Sequence, residues 1–426
     1  MRTRSLPLAL IAMAAPVWTQ PLGLFDGHND IGTLTTPGTA AYDPAKFVYS
    51  VSSGGENMWA ASDDLHFVWK KISAVDVALG ADIAFATTTG NNHKKGVLII
   101  RQSLDADSAY CDAALHLDGL TSLQCRERKG GPTFEIQQAI VGAKRLRLEK
   151  RGAKFHVFAA NAEGRPLRFT GGSISVAMEG EFYIGLGVCA HDKNAFEQVE
   201  FSNVSIGSPT GNQAEMTTLE VAPVRGDRRA LHVEQGELAN PKWFADGKSI
   251  AFWVLPQKMH MEIELARGAV AKHSDAGFSD AAVRVFAAKR RGKMHLYTES
   301  DGRKTWLTEG KNNNTDPRLT AGNAVVFTSD RSGTYQLWRL SLEPGTTLDP
   351  LTNDDDFANA KPFVSPDGLR VAFVSTPKAK GEPSIRVMTF ADKKIVSLAK
   401  CNLSFGSWQT SPWSPDSRSV VFVTHD

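Results

Sequence analysis

One segment recurs through the second half of the chain. Pro241-Lys-Trp-Phe-Ala-Asp-Gly-Lys-Ser-Ile-Ala-Phe252 is echoed by Pro362-Phe-Val-Ser-Pro-Asp-Gly-Leu-Arg-Val-Ala-Phe373 and by Pro412-Trp-Ser-Pro-Asp-Ser-Arg-Ser-Val-Val-Phe422. A weaker copy is Pro317-Arg-Leu-Thr-Ala-Gly-Asn-Ala-Val-Val-Phe327. Ser-Pro-Asp-Gly combines a proline that pre-sets φ with a glycine that tolerates positive φ, so the chain reverses tightly before an alternating strand. The copies at 317, 362 and 412 are 45 and 50 residues apart, the length of one four-stranded propeller blade. The wider gap from 241 to 317 predicts a degenerate blade around Val283–Tyr297.

The rest of the chain is also written for strands. Short β-branched or aromatic runs such as Phe47–Val51, Val97–Ile100 and Phe155–Phe158 are interrupted by Gly, Asn, Asp and Pro. From about residue 45 to 206 no repeat is visible, and long hairpins with alternating faces suggest a two-sheet jelly roll. Residues 181–188 and 199–206 read as paired closing strands, and the best helical stretch is Phe134–Val141. The Gly/Pro-bearing segment from 207 reads as a linker.

Arg2 and Arg4 precede the apolar run Leu6–Val17, and Ala12-Met-Ala14 offers small residues at cleavage spacing, which together read as a secretory signal peptide. Lys+Arg 48 against Asp+Glu 46 becomes an even balance once both arginines are removed, so bulk charge selects neither nucleic acid nor an anionic membrane. Beyond residue 20 no apolar run approaches the roughly 20 residues of a spanning helix. The expected location is periplasmic or secreted, where disulfides are permitted. Folding the chain about Asp118-Gly119 sets Cys111 opposite Cys125, so a cross-strand disulfide is feasible. The alternative is two independent thiols, and Cys189 and Cys401 read as buried small apolar residues.

The repeat resembles that of TolB-like β-propellers, roughly Pro-x-Trp-Ser-Pro-Asp-Gly-Lys-x-Ile-Ala-Phe, over about residues 220–426. Residues 45–206 resemble the concanavalin-like jelly roll through Met58-Trp59, His66–Lys71, Val97–Asp107 and Gly185–His191. The expected architecture is all-β: a signal peptide over 1–20, a concanavalin-like jelly-roll sandwich over 21–206, a linker over 207–219 and a TolB-like β-propeller over 220–426. Such propellers usually have six blades. Five can be placed here, starting near 241, 281, 317, 362 and 412, so the ring is either shortened or carries a further degenerate blade. Strands within 216–236 can complete the last blade by pairing with Val420–Thr424, removing sheet edges a ring would leave open. TolB has a different N-terminal domain, so its role in the Tol system is not carried over.

For a site, Arg101, Asp105, Asp107 and His116 cluster within a strand-loop-strand region, as a glycan or calcium site or as a solvated loop with an ion pair. Calcium needs six or more oxygen ligands, far more than Asp105 and Asp107 supply, even with Asp192. Trp59, Trp69, Tyr110 and His191 are candidates for stacking on a sugar face, against core packing as the alternative. No Gly-x-Ser-x-Gly elbow, His-Glu-x-x-His or phosphate loop occurs, and no catalytic or metal residues are assigned. Acid pairs such as Glu179/Glu181 or Asp105/Asp107 do not match the Glu-x-Asp-x-x-Glu pattern of concanavalin-like glucanases. The expectation is an exported, non-catalytic binding and scaffold protein without a cofactor. Its jelly roll binds a glycan or envelope ligand and its propeller mouth docks a protein partner. The alternative is a polysaccharide lyase or glycoside hydrolase acting on an extracellular glycan.

Overall fold

The computed structural model describes residues 22–162, 165–210, 216–255, 257–266, 269–272, 285–300, 302–320, 322–343, 347–400 and 410–425. The expected signal peptide and Cys401 lie outside these residues. All regular structure described is β, and no helix is long and apolar enough to cross a membrane.

Two large sheets share one core in the N-terminal half. One runs, in order, through Gly27–Ile31, Leu65–Ile72, Phe182–Cys189, Lys95–Arg101, Tyr110–His116, Thr121–Arg126 and Thr133–Gln137. The other centres on Arg145–Arg151, Asp76–Phe85, Glu197–Gly207 and Val48–Ser53. Alternate residues of each strand, such as Leu98, Ile100, Ala113 and Leu123 from the first sheet and Leu79, Leu148 and Phe201 from the second, fill the space between them. Cys111 and Cys125 stand directly opposite in register and form a disulfide across two neighbouring strands.

Two local expectations are corrected. Phe182–Cys189 and Glu197–Gly207 do not pair with each other; they lie in different sheets, each hydrogen-bonded between two other strands. The chain crosses from one layer to the other between them, a step that local alternation does not signal. Residues Thr133–Gln137 form a strand rather than a helix, because the sheet edge at Ser122–Arg126 takes up their backbone groups.

The repeat region forms antiparallel sheets in sequence: Glu237–Lys272, Val285–Trp306, Asn314–Pro350 and Phe357–Lys400. The copies share one construction. Gly247, Gly368 and Ser417 each take positive φ, and each donates its N–H to the carbonyl three residues back. The aspartate before each reversal, Asp246, Asp367 or Asp416, accepts the N–H two residues on. The repeat prolines have a structural place of their own. Asn240, Asp316 and Lys361 adopt φ of 50°, 52° and 55°, directly before Pro241, Pro317 and Pro362. At each the ladder shifts register. A proline cannot donate to a ladder, so the strand bulges where it occurs. Trp243 and Trp413 then tie neighbouring sheets together, donating to the carbonyls of Pro412 (3.1 Å) and Phe363 (2.7 Å).

The ring-closing pairing expected from 216–236 is present: Ser419–His425 pairs antiparallel with Met216–Pro223, from Thr217↔His425 to Pro223↔Ser419. Glu220, buried at its centre, is held by Arg228 at 2.9 and 3.0 Å and by the Thr424 hydroxyl at 2.8 Å. This set of closing strands is not separate from the N-terminal half. Arg228–Gln235 pairs in parallel with Thr133–Gln137 at Ile136↔Arg228 and Gln137↔Arg229, so one ten-stranded sheet runs through both halves. Gly171, at φ 97°, lies at this seam; a Cβ there would stand 2.7 Å from Val233 and 2.8 Å from Thr218. The N–H of Gly172 donates to the Thr218 hydroxyl at 3.1 Å.

Candidate functional site

The ten-stranded sheet has a second face, turned away from the sandwich core. The pleat sends every other residue of four adjacent strands to it. The register arranges these residues in rows: Arg101, Tyr110, Arg126 and Thr133; then Ile99, Asp112, Gln124 and Glu135; then Val97, Ala114, Ser122 and Gln137; and last Lys95 and His116.

A small hairpin, Met58–Trp59 with Ser62–Asp63, folds over the first rows. Its turn residue Ala60 has φ 50°, and the Ala60 carbonyl accepts from Arg126 Nε and the Thr133 hydroxyl. Asp63 is fully buried and takes a two-pronged contact from Arg126, at 2.6 and 2.9 Å, with Arg101 at 3.4 Å. Burial pushes the Asp63 carboxyl up, and the guanidiniums pull it back. This ion cluster clamps the hairpin to the sheet.

Beyond the hairpin the last rows open into a cleft of about 290 Å3. Trp59 forms one edge, and the Lys95 ammonium lies 6.0 Å from its ring. Lys95 Nζ donates to Gln124 Oε1 at 3.2 Å, Gln124 Nε2 donates to Glu135 at 2.9 Å, and Gln137 donates to the other Glu135 oxygen at 3.2 Å. His93 stands between His116 and His191, with ring centroids 5.8 and 5.6 Å away. Asp227, from the first hairpin of the C-terminal half, completes the lining, so both halves build the cleft. Its carboxyl is pushed up by burial and by Glu135.

His116 decides how this cleft reads. It lines the opening, yet it is only 4% exposed, and neither ring nitrogen has a hydrogen-bond partner. Burial first, then Lys95 and the two neighbouring histidines, lowers its pKa to about 2, so the ring is neutral and offers one donor and one acceptor. Beneath the hairpin Asp112 is fully buried, and burial pushes its carboxyl well above the usual carboxylate range. Buried polar groups in folded proteins nearly always have partners, and groups without one at an opening mark where a ligand or water supplies them.

His156, buried in the second sheet, is held neutral in the same way, with a pKa lowered to about 3 by burial first. Its folded pKa lies below the unfolded value of about 6.5, so the stability it contributes is intact above pH 6.5 and is lost as pH falls toward 3. Replacing it, as in His156→Phe, removes that loss. In unfolding titrations the variant is expected to gain on the unmodified protein by about 1.4 kcal/mol per pH unit below 6.5. A stability difference that stays constant from pH 7 to 5 would contradict this.

Of the residues singled out in the sequence, Trp59, His116 and His191 meet in the cleft. The others lie elsewhere. Arg101 is fully buried, its Nε and Nη2 engaged by Asp63 and by the carbonyls of Ser103 and Asp105. Asp105 and Asp107 sit on an exposed loop, both bridged to Lys129 at 2.6 and 3.5 Å. Trp69 packs edge-on against Tyr183 and donates to Asn29. Glu181 is paired with Lys71 at 2.7 Å, away from the cleft. His93, Lys95, Gln124, Glu135, Gln137 and Asp227 were not anticipated. The one available signal was Lys95, a charge opening the apolar run Gly96–Ile100.

No family model matches the chain, and no curated protein matches it. Solved structures do. Putative TolB from Agrobacterium tumefaciens is 18% identical with a TM-score of 0.42, over 49% of this chain and 98% of that one. The chain is similar in part to TolB. TolB from Acinetobacter baumannii is 20% identical with a TM-score of 0.28, over 49% of this chain and 57% of that one. Alginate lyase A1-II', a member of polysaccharide lyase family 7, is 9% identical with a TM-score of 0.30, over 40% of this chain and 84% of that one. The propeller organisation rests on the chain's own repeats, serial sheets and closing strand.

Proposed function

We propose that this is an exported, non-catalytic binding protein of the periplasm or the extracellular space. Its two-sheet half is read as a concanavalin-like jelly roll that takes a carbohydrate or similar hydroxyl-rich envelope ligand in the cleft beside Trp59. The TolB-like half is the scaffold, and the mouth of its channel is offered to a protein partner. The observation that carries the reading is His116: a buried, neutral ring in the wall of the cleft, with no hydrogen-bond partner at either nitrogen. Around it stand donors and acceptors in mixed order, Lys95, Gln137, Glu135 and Asp227, with an aromatic edge. That combination suits sugar hydroxyls above and an apolar ring face beside them.

The test is a broad glycan array probed with the full chain, because the cleft takes Asp227 from the C-terminal half. Binding is expected with or without added calcium, since Lys129 occupies Asp105 and Asp107. Trp59→Ala is expected to weaken it about tenfold, the loss of roughly 1.4 kcal/mol of stacking. An array without a specific signal, or a signal indifferent to Trp59→Ala, would overturn the assignment of this cleft.

A further inference from the structure

Three arginines line a second cleft, of about 570 Å3, at one end of the closing strand. Arg225 follows Met216–Pro223, Arg418 precedes Ser419–His425, and Arg370 opens the strand Arg370–Pro377 of the preceding sheet. The backbone ties these walls together. The closing ladder ends at Pro223↔Ser419, and one step beyond it the N–H of Val224 donates to the Arg418 carbonyl at 2.8 Å. The two repeat turns are joined as well. The N–H of Asp367 donates to the Ser417 hydroxyl at 3.0 Å, and Arg370 Nη1 donates to the Ser417 carbonyl at 3.0 Å.

The charges on this frame are not balanced from within. Arg370 is held through Nη1, which also reaches Asp367 at 3.4 Å. Among the described residues the guanidiniums of Arg225 and Arg418 make no hydrogen bond or ion pair, and both residues are exposed. The one carboxylate in the lining, Asp416, accepts on Oδ1 from the Ser414 hydroxyl and from the Arg418 N–H. Three guanidiniums against one carboxylate leave the lining at +2. A carboxylate or a sulfate ester carries a single negative charge. A phosphomonoester carries close to two at neutral pH, with three strong acceptor oxygens that suit the planar fork of arginine.

We propose that Arg225, Arg370 and Arg418 form a binding site for the dianion of a phosphomonoester, carried on a soluble molecule or on a lipid headgroup. Its oxygens take the donors that the frame leaves unused. Arg225 belongs to the closing hairpin and Arg370 to the preceding sheet, so a filled site bridges the two.

The test is calorimetric titration of the full-length protein with glucose 1-phosphate at pH 8 and low salt, with glucose as the blank. A parallel sedimentation assay uses phosphatidylcholine vesicles containing a fifth of phosphatidic acid, a phosphomonoester, or a fifth of phosphatidylglycerol, a diester. Saturable binding is expected to glucose 1-phosphate, which assigns a soluble source, or to phosphatidic acid vesicles alone, which assigns a headgroup. Arg225→Ala and Arg418→Ala remove exposed side chains and are each expected to weaken it about tenfold or more. Arg303→Ala, an exposed arginine of another sheet, is expected to leave it unchanged. At pH 5 binding is expected to be about tenfold weaker, because the ester takes up its second proton near pH 6. The arginines keep their charge there, and so do Asp367 and Asp416, both held below the usual carboxylate range. Binding to neither probe, equal retention on phosphatidylglycerol, or a loss in Arg303→Ala matching that in Arg418→Ala would overturn the proposal. Affinity unchanged between pH 8 and 5 would overturn the dianion.

Discussion

Asp63→Ala is expected to destabilise the protein by about 3–5 kcal/mol, the cost of stripping one partner from a buried ion cluster. Arg126 and Arg101 are both fully buried, and the substitution leaves Arg126 without its two-pronged acceptor. Neither guanidinium can shed its proton to escape the penalty. The remaining acceptors, the carbonyls of Trp59, Ala60, Ala106 and Ser108 for Arg126 and of Ser103 and Asp105 for Arg101, do not neutralise charge. The loss also reaches the cleft, because Asp63 holds down the hairpin that carries Trp59. Urea unfolding measures the first effect and ligand affinity the second. A shift below about 1 kcal/mol would show that the cluster is not the clamp described here.

Deleting residues 419–426 is expected to have a larger effect still. Val420, Val421, Phe422 and Val423 are all fully buried. At roughly 1.5–3 kcal/mol for each buried apolar side chain, their removal costs on the order of 6–12 kcal/mol, comparable to the whole stability of an ordinary domain. The deletion also uncovers the edge at Met216–Pro223 and takes the Thr424 hydroxyl from the buried Glu220. The C-terminal half is therefore expected to lose cooperative unfolding and become protease-sensitive. The seam at Ile136↔Arg228 should transmit the damage to Asp227 and the cleft. An unchanged unfolding transition in the truncated protein would contradict the closing role of this strand.

What the sequence makes legible follows the range of the interactions involved. The repeat is readable because its turns are local: aspartate, the residue at positive φ and the proline bulge all act within a few positions. Even the closing pairing can be anticipated, since leftover strands at the two ends of a ring have one evident use. The cleft is less legible because it is made by register. Lys95, Gln124 and Glu135 lie on three different strands and meet only through cross-strand alignment. Asp227 arrives from the other half of the chain. Arg101 shows the opposite failure. A charged residue ending an apolar strand suggests exposure, but a hairpin from some forty residues earlier covers it and supplies its counter-ion. Likewise, Phe182–Cys189 and Glu197–Gly207 resemble partners because they are near in sequence, while the sandwich sends them to opposite layers.

The central claim is that the cleft around His116 receives the ligand. Histidine-selective NMR during titration with the best glycan from the array tests it most directly, because the chain has 11 histidines to report on separate regions. The signals of His93, His116 and His191 are expected to shift together and saturate at one equivalent, while that of His28 stays in place. Saturable glycan binding that leaves all three unmoved would contradict the account and place the ligand on another surface.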